Sequence, residues 1–406
     1  MYEINPWAKP IYVMAKTVGA KCNLSCAYCY YLEKSDLLNT ATGMTEDLLE
    51  QFIQQYIDAQ QGASVMFTWH GGEPLLRGLS FYKKAITLQH KYANGREIVN
   101  CIQTNGILLD DNWCRFFHDY NWLVGISIDG PQIFHDAYRK TLDGRPTHSR
   151  IMHGIKLLNK HKVEWNAMAV VNDFNADYPL ETYHFFKDIG CRYIQFTPIV
   201  ERHDGHYLVP FNVNTGKLTN QSISPEQWGN FLCTIFDEWV RNDVGEYFIQ
   251  IFDSTLANWV GAQPGLCTMA KTCGHAMVIE TNGDVYSCDH FVYPQFRLGN
   301  INEDTIERLA YCEQQQHFGS LKCNSLPTQC LKCNYLFACN GGCPKDRFAI
   351  SKDGDPLLNY LCTGYQQFFK HVAPYMDFMK HELLQQRPAS NIMIALKNIN
   401  PYNQLS

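Results

Sequence analysis

Between residues 11 and 240, short apolar runs alternate with longer segments whose apolar residues recur at helical spacing, and this alternation restricts the fold more than any other feature. The runs Ile11–Val18, Val65–Trp69, Ile98–Gln103, Leu123–Ile128, Val163–Val171 and Tyr193–Pro198 read as strands. Helices are predicted over Glu46–Gln60, Phe81–Tyr92, Asn112–Tyr120, Arg150–Lys160, Leu180–Ile189 and Pro225–Val240. In the first of these, Leu48, Leu49, Phe52, Ile53 and Tyr56 form one stripe, and Thr45 is placed to cap it. Six such units imply an α/β chain with a parallel sheet and helical crossovers. The expected architecture is a partial (β/α)6 TIM-like barrel, an incomplete relative of the eight-stranded form.

In β/α barrels the strand-to-helix loops converge on one mouth and build the site. The polar and glycine-rich punctuation of this chain falls on those loops. The first strand is followed by Lys21-Cys22-Asn23-Leu24-Ser25-Cys26-Ala27-Tyr28-Cys29-Tyr30, the second by His70-Gly71-Gly72-Glu73-Pro74. The third carries Gln103-Thr104-Asn105-Gly106 and the fourth Ser127-Ile128-Asp129-Gly130-Pro131. A lone Gly-Gly or Asn-Gly reads as a turn; four motifs on one rim read as a site. The spacing C-x3-C-x2-C offers three thiolates and no fourth. That suits a cubane iron–sulfur cluster with one iron open to an exogenous ligand. The alternative is zinc, its fourth ligand a distant Cys or one of 15 His.

A second cysteine field runs Cys267-x5-Cys273-x14-Cys288, then Cys330-x2-Cys333-x5-Cys339-x3-Cys343, then Cys362. These thiolates suffice for two closed four-ligand sites, either iron–sulfur clusters or zinc ribbons. The N-terminal triplet in the same chain favours iron. Cys101, Cys114, Cys191, Cys233, Cys312 and Cys323 stand apart and read as small buried hydrophobes. The division expected is a barrel over 1–240, a connector over 241–264, a cysteine-rich domain over 265–365, and a C-terminal helix and tail over 366–406. That helix is predicted over Gln366–Gln386 on its stripe of Phe368, Phe369, Val372, Tyr375, Met376 and Met379, with a frayed polar tail after it.

Composition excludes several function classes. Hydrophobic residues make up 46% and charged residues 18% of 406, an ordinary soluble balance with a substantial core. A formal net charge of −6 and no Lys/Arg block argue against nucleic acid as partner. No apolar stretch approaches the ~20 residues that span a bilayer, and the first ten residues lack a signal-peptide pattern. A cytoplasmic protein is expected, in which 17 cysteines serve metal ligation better than disulfides.

The N-terminal loop resembles the signature of the radical S-adenosylmethionine (SAM) superfamily, with Tyr28 as the aromatic before the last cysteine. The C-terminal field, with Gly283 between Cys273 and Cys288, resembles the SPASM extension of peptide-modifying members. Gly71-Gly72-Glu73-Pro74, Gln103-Thr104-Asn105-Gly106, Val124–Pro131 and Val285-Tyr286-Ser287-Cys288-Asp289 are most similar to anaerobic sulfatase-maturating enzymes. The resemblance implies three 4Fe-4S clusters and SAM as cofactors. Cys22, Cys26 and Cys29 would hold the open cluster; Cys267, Cys273, Cys288 and Cys343 the nearer auxiliary one; Cys330, Cys333, Cys339 and Cys362 the outer one. It implies SAM contacts at Tyr28, Gly72, Ser127, Arg139 and Val200, and a proton acceptor at Asp289.

The reaction implied is oxidation of a Cys or Ser in an unfolded sulfatase segment to Cα-formylglycine. A radical derived from SAM abstracts hydrogen from the substrate Cβ, the acceptor takes the thiol or hydroxyl proton, and an auxiliary cluster takes the second electron. A reducing donor such as flavodoxin or ferredoxin would supply the first. Beside an anionic cluster the Asp289 pKa is expected to rise. By position alone Asp289 would cap a turn and Arg139 would be a solvated ion-pair partner. A thioether-forming SPASM maturase and a non-catalytic zinc-ribbon protein are the competing readings.

Overall fold

The computed structural model describes residues 11–32, 34, 38, 43–203, 217–274 and 276–398. The leader-region reading and the extreme tail lie outside the described residues. The elements follow as β1 Tyr12–Lys16, α1 Glu46–Asp58, β2 Ser64–His70, α2 Leu79–Tyr92, β3 Glu97–Thr104, α3 Asp111–Asp119 and β4 Leu123–Ser127. Next come α4 Gln132–Tyr138, α5 His148–Lys160, β5 Trp165–Val171, α6 Pro179–Asp188 and β6 Tyr193–Pro198. Two-residue strands β7 Arg202–His203 and β8 Lys217–Leu218 pair antiparallel. They precede α7 Pro225–Asn242, β9 Phe248–Ile249 and α8 Gln250–Trp259. The cysteine-rich part opens with β10 Ala276–Ile279, β11 Asp284–Tyr286 and β12 Arg297–Asn300. All six expected strand–helix units are present.

Two compact units divide the chain. The first comprises Met1–Ile128, His135–Asn166 and Cys273–Leu321. In it β1 pairs parallel with β2, β2 with β3 and β3 with β4, the registers including Lys16↔His70, Trp69↔Ile102 and Gln103↔Gly125. The other edge of β1 is taken by β10, also parallel, with Ala15↔Ile279. A turn at Asn282-Gly283, with Gly283 at φ 88°, sends β11 back antiparallel. This fold-back carries residues 276–300 onto the sheet beside the first cysteine loop. Helix α1 forms as predicted: the Thr45 hydroxyl accepts from the Leu48 amide at 3.2 Å, and Leu49, Phe52, Ile53 and Ile57 are sealed on its inner face.

The second unit comprises Asp129–Phe134, Ala167–Thr272 and Lys322–Ser406. Here β5 pairs parallel with β6, Val171 opposite Pro198, and β6 with β9. Ala167, Ala169 and Val171 alternate inward with no exposure. Helix α7 begins with a full capping box between Ser224 and Gln227. It packs on the long helix Cys362–Leu384 where two glycines meet; a Cβ on Gly364 would collide with the Pro225 carbonyl oxygen. The segment 241–264, read as a connector, holds α8, with Ile251, Phe252 and Trp259 buried. A short helix, Asn391–Asn398, stands where a frayed tail was expected. Of the six scattered cysteines, Cys114, Cys191 and Cys233 are buried, whereas Cys101, Cys312 and Cys323 are half-exposed. Among the described residues, no helix is long and apolar enough to cross a membrane.

Candidate active site

In the first unit the cysteine loop leaves β1 and is pinned by backbone on two sides. The Ser25 amide donates to the Lys140 carbonyl at 2.8 Å, and the Ala27 amide to the Tyr138 carbonyl at 3.0 Å. Between those two carbonyls sits Arg139, 8% exposed, its Nη1 4.0 Å from Cys26 Sγ and its guanidinium 5.6 Å from the Tyr28 ring centre. The structure thus brings Tyr28 and Arg139 together, and Arg139 is not a solvated surface residue.

Gly72 meets the same loop from β2. Its amide donates to the Gly19 carbonyl at 2.7 Å, and the Glu73 amide to the Lys21 carbonyl at 2.9 Å. A Cβ at position 72 would collide with the Lys21 carbonyl oxygen, so only glycine allows this approach. Glu73, fully buried, accepts from the Leu75 amide, the Thr104 hydroxyl and the Asn105 amide at 2.7–2.9 Å. Burial raises its pKa to about 7, those hydrogen bonds opposing it. Asn105 in turn donates to Asn23 Oδ1 at 2.8 Å and points at Cys22 Sγ, 3.8 Å away. Burial pushes the Cys22 thiol up to about 11. Ser127 closes β4, its hydroxyl accepting from Gln103 Nε2 at 2.9 Å.

Asp289, beside Cys288, has a 2.6 Å hydrogen bond from the Tyr30 hydroxyl and lies 4.0 Å from the fully buried Lys16 Nζ. Its side chain is 19% exposed. Lys16 also reaches His70 Nδ1 at 3.3 Å and lies 3.9 Å above the Tyr31 ring. His70 Nδ1 accepts from the Gly71 amide as well, which fits a neutral ring; burial and Lys16 lower its pKa to about 3. The protein's own groups pull the other way from the rise expected beside an anionic cluster. Burial pushes the carboxyl up, but His290, Lys16, the Tyr30 hydroxyl and His70 together outweigh it and hold it below the carboxylate range.

The second unit holds most of the remaining residues. Val200, 2% exposed, follows β6, and its carbonyl accepts from Lys345 Nζ at 2.9 Å. Cys330, Cys333, Cys339 and Cys362 line one recess, walled by Tyr335, Leu336 and Phe369. Burial raises the Cys339 thiol to about 11 and the Cys362 thiol to about 12. Such thiols give up their protons when a metal replaces them, so this donor set fits a four-thiolate cluster. Cys267 is anchored by Lys322, which donates to the Cys267 and Thr268 carbonyls at 2.6 and 2.9 Å. Cys343 opens the turn Pro344–Asp346. In the first unit, the Cys273 amide is held by the Gly319 carbonyl at 3.2 Å. Among the described residues, no three His, Cys, Asp or Glu side chains close on a single metal ion.

Glu73 and Asn105 stood inside the rim motifs without a role of their own, and Lys16, Tyr30 and Lys345 were given none in the sequence. Two of these three carried a signal: Tyr30 directly follows Cys29, and Lys16 is a charge ending an otherwise apolar strand. Lys345 depends on contacts that no local pattern encodes.

Comparison with known proteins bears on both cysteine fields. A model of the radical SAM superfamily matches residues 17–186, and one of an iron–sulfur cluster-binding domain, SPASM, matches 267–334. The serine-type anaerobic sulfatase-maturating enzyme of Bacteroides thetaiotaomicron is 64% identical over 400 residues, covering 97% of each chain. The cysteine-type enzyme of Clostridium perfringens is 33% identical over 373 residues, covering 90% of this chain and 97% of its own. The solved structure of native anSMEcpe with bound AdoMet and Cp18Cys peptide superposes with a TM-score of 0.83 at 30% identity, covering 92% of this chain and all of that one.

Proposed function

Because the chain belongs to the anaerobic sulfatase-maturating enzymes, radical SAM proteins with a SPASM extension, we propose that it oxidises a serine of a sulfatase segment and that Asp289 receives the hydroxyl proton. Sulfatase maturation by SAM with three 4Fe-4S clusters is the activity of this family. The zinc-ribbon reading is thereby set aside. Serine as the client side chain rests on 64% identity to a serine-type enzyme against 33% to a cysteine-type one.

When bound, the clusters and SAM supply the one-electron chemistry that takes hydrogen from the substrate Cβ and accepts the second electron. The residues of this chain do the rest. Cys22, Cys26 and Cys29 hold the open cluster, and Tyr28, Gly72, Ser127, Arg139 and Val200 orient SAM. Serine-to-aldehyde conversion removes two electrons and two protons, so the hydroxyl proton needs a base. Asp289 suits that role: the Tyr30 hydroxyl fixes Oδ2, and His290 and Lys16 favour the anion that can take a proton. That anchored carboxylate carries the reading.

A reducing donor of flavodoxin or ferredoxin type and a cytoplasmic location belong to the same proposal. The location is supported by 17 cysteines whose spacing suits metal ligation better than disulfides. The test is anaerobic incubation of reconstituted protein with matched serine and cysteine sulfatase peptides, read by mass spectrometry. Faster loss of two hydrogens from the serine peptide supports the proposal. Preference for the cysteine peptide overturns the serine assignment, and an internal crosslink overturns the maturation chemistry.

A further inference from the structure

Lys345 is two residues beyond Cys343 in sequence, yet its ammonium serves the far end of β6. Nζ donates to the Val200 carbonyl at 2.9 Å and pairs with Glu201 Oε1 at 3.3 Å and Asp346 Oδ1 at 2.9 Å. All three side chains are 84–89% covered, the lysine 11%, Glu201 16% and Asp346 11% exposed. Buried charge triads of this kind contribute little net stability against an apolar replacement of equal volume. What they do fix is geometry, and here the geometry is that of one irregular stretch of backbone.

Residues 199–201 leave the strand but stay anchored at both ends: the Ile199 amide donates to the Val171 carbonyl at 2.9 Å, and the Glu201 carbonyl accepts from the Thr219 amide at 2.9 Å. Ser222 fixes the far side, its hydroxyl accepting from the Glu201 amide at 2.9 Å and donating to the Glu201 carbonyl at 3.1 Å. The intervening Val200 carbonyl is oriented by Lys345. On the other side the lysine is set by the Cys343 turn, where the Asp346 amide donates to the Cys343 carbonyl at 3.1 Å. One buried cation therefore ties a cluster-ligand turn to the strand exit read above as a SAM contact.

We propose that Lys345 is a positioning residue for SAM, orienting the Val200 peptide from the Cys343 turn. This rests on the reading of Val200 as a cofactor contact. A charge-assisted hydrogen bond lost from a positioning group predicts weaker SAM binding with the chemistry intact once SAM is saturating.

The test compares wild type, Lys345→Met and Lys345→Arg as anaerobically reconstituted full chains. SAM affinity is read from the change SAM induces in the spectrum of the open cluster, and KM and kcat from SAM cleavage. Lys345→Met is expected to raise the SAM dissociation constant and KM about tenfold while kcat stays within about twofold and iron and sulfide per chain are unchanged. Lys345→Arg, which keeps charge and donors, is expected to recover most of the affinity. If Lys345→Met is insoluble, the triple variant with Glu201→Gln and Asp346→Asn, which leaves no unpaired carboxylate, takes its place with the same expectation. Wild-type SAM affinity in the Met variant overturns the proposal. So does affinity lost only together with about four irons, since Lys345 would then be holding a cluster. If wild type itself shows no SAM-induced change, the underlying reading fails and the proposal with it.

Discussion

The Tyr30 hydroxyl donates to Asp289 Oδ2 at 2.6 Å, joining the residue after the last loop cysteine to the residue after Cys288 across 259 positions of sequence. The fold-back of β10 on β1 makes this possible, because Ala276–Ile279 runs parallel to Tyr12–Ala15 and brings the following hairpin to the loop. Asp289→Asn keeps size and hydrogen bonding but loses the base. It should form 5′-deoxyadenosine from SAM while aldehyde formation falls by at least ~100-fold, the scale of general base catalysis. Chromatography of the nucleoside and mass spectrometry of the peptide check both halves. A normal aldehyde yield would remove Asp289 from the mechanism.

Gly72→Ala tests the close approach of β2 to the cysteine loop. The new methyl collides with the Lys21 carbonyl, which belongs to the loop backbone and cannot rotate away. Displacing it should cost about 1–3 kcal/mol of stability, as other overpacked sites do. The loop should also lose SAM affinity, seen as a weakened spectral response to SAM. An unaltered response would mean that the loop path is not set by residue 72.

Cys330→Ala leaves three thiols in the recess of the second unit. Iron and sulfide should drop by about four each from about twelve per chain. The SAM response of the N-terminal cluster should persist, since its ligands lie elsewhere. Full iron retention would show that these four thiols do not form one site.

The strand exits and their motifs were legible in sequence because both signals are local. Gly72 and Glu73 follow an apolar run, and Cys22 to Cys29 fit one loop. The strand Ala276–Ile279 was hidden, since four residues after a cysteine cluster carry too short a period to separate strand from turn. Helix α8 was passed over because Ile249 provides no side-chain cap, although Ile251, Phe252 and Trp259 share a face. The protein's own pull on the Asp289 carboxyl could not be read at all. It depends on Lys16 and His70, more than 200 positions away in sequence, and on the orientation of His290. Lys345 was invisible for the same reason, its partner carbonyl lying 145 positions away.

Glu280 gives the molecule a pH-dependent term outside the proposed chemistry. It is fully buried at the end of β10, where Oε1 accepts from the Tyr31 hydroxyl and Oε2 has no hydrogen-bond partner among the described residues. Burial raises its pKa to about 7, the Tyr31 hydrogen bond and Lys16 offsetting part of that. A carboxyl with a raised folded-state pKa contributes its full share below the unfolded value, the ordinary 4.5. Above that, the unfolded chain ionises while the folded one stays neutral, so stability falls as pH climbs towards about 7 and then levels. The span corresponds to a loss of order 3 kcal/mol. Glu280→Gln keeps an acceptor for Tyr31 and does not titrate. Its urea midpoint relative to wild type, followed by tryptophan fluorescence under anaerobic conditions, should therefore improve between about pH 5 and pH 7.5. If the difference between the two proteins is the same at both pH values, Glu280 ionises equally easily folded and unfolded, and its burial carries no such term.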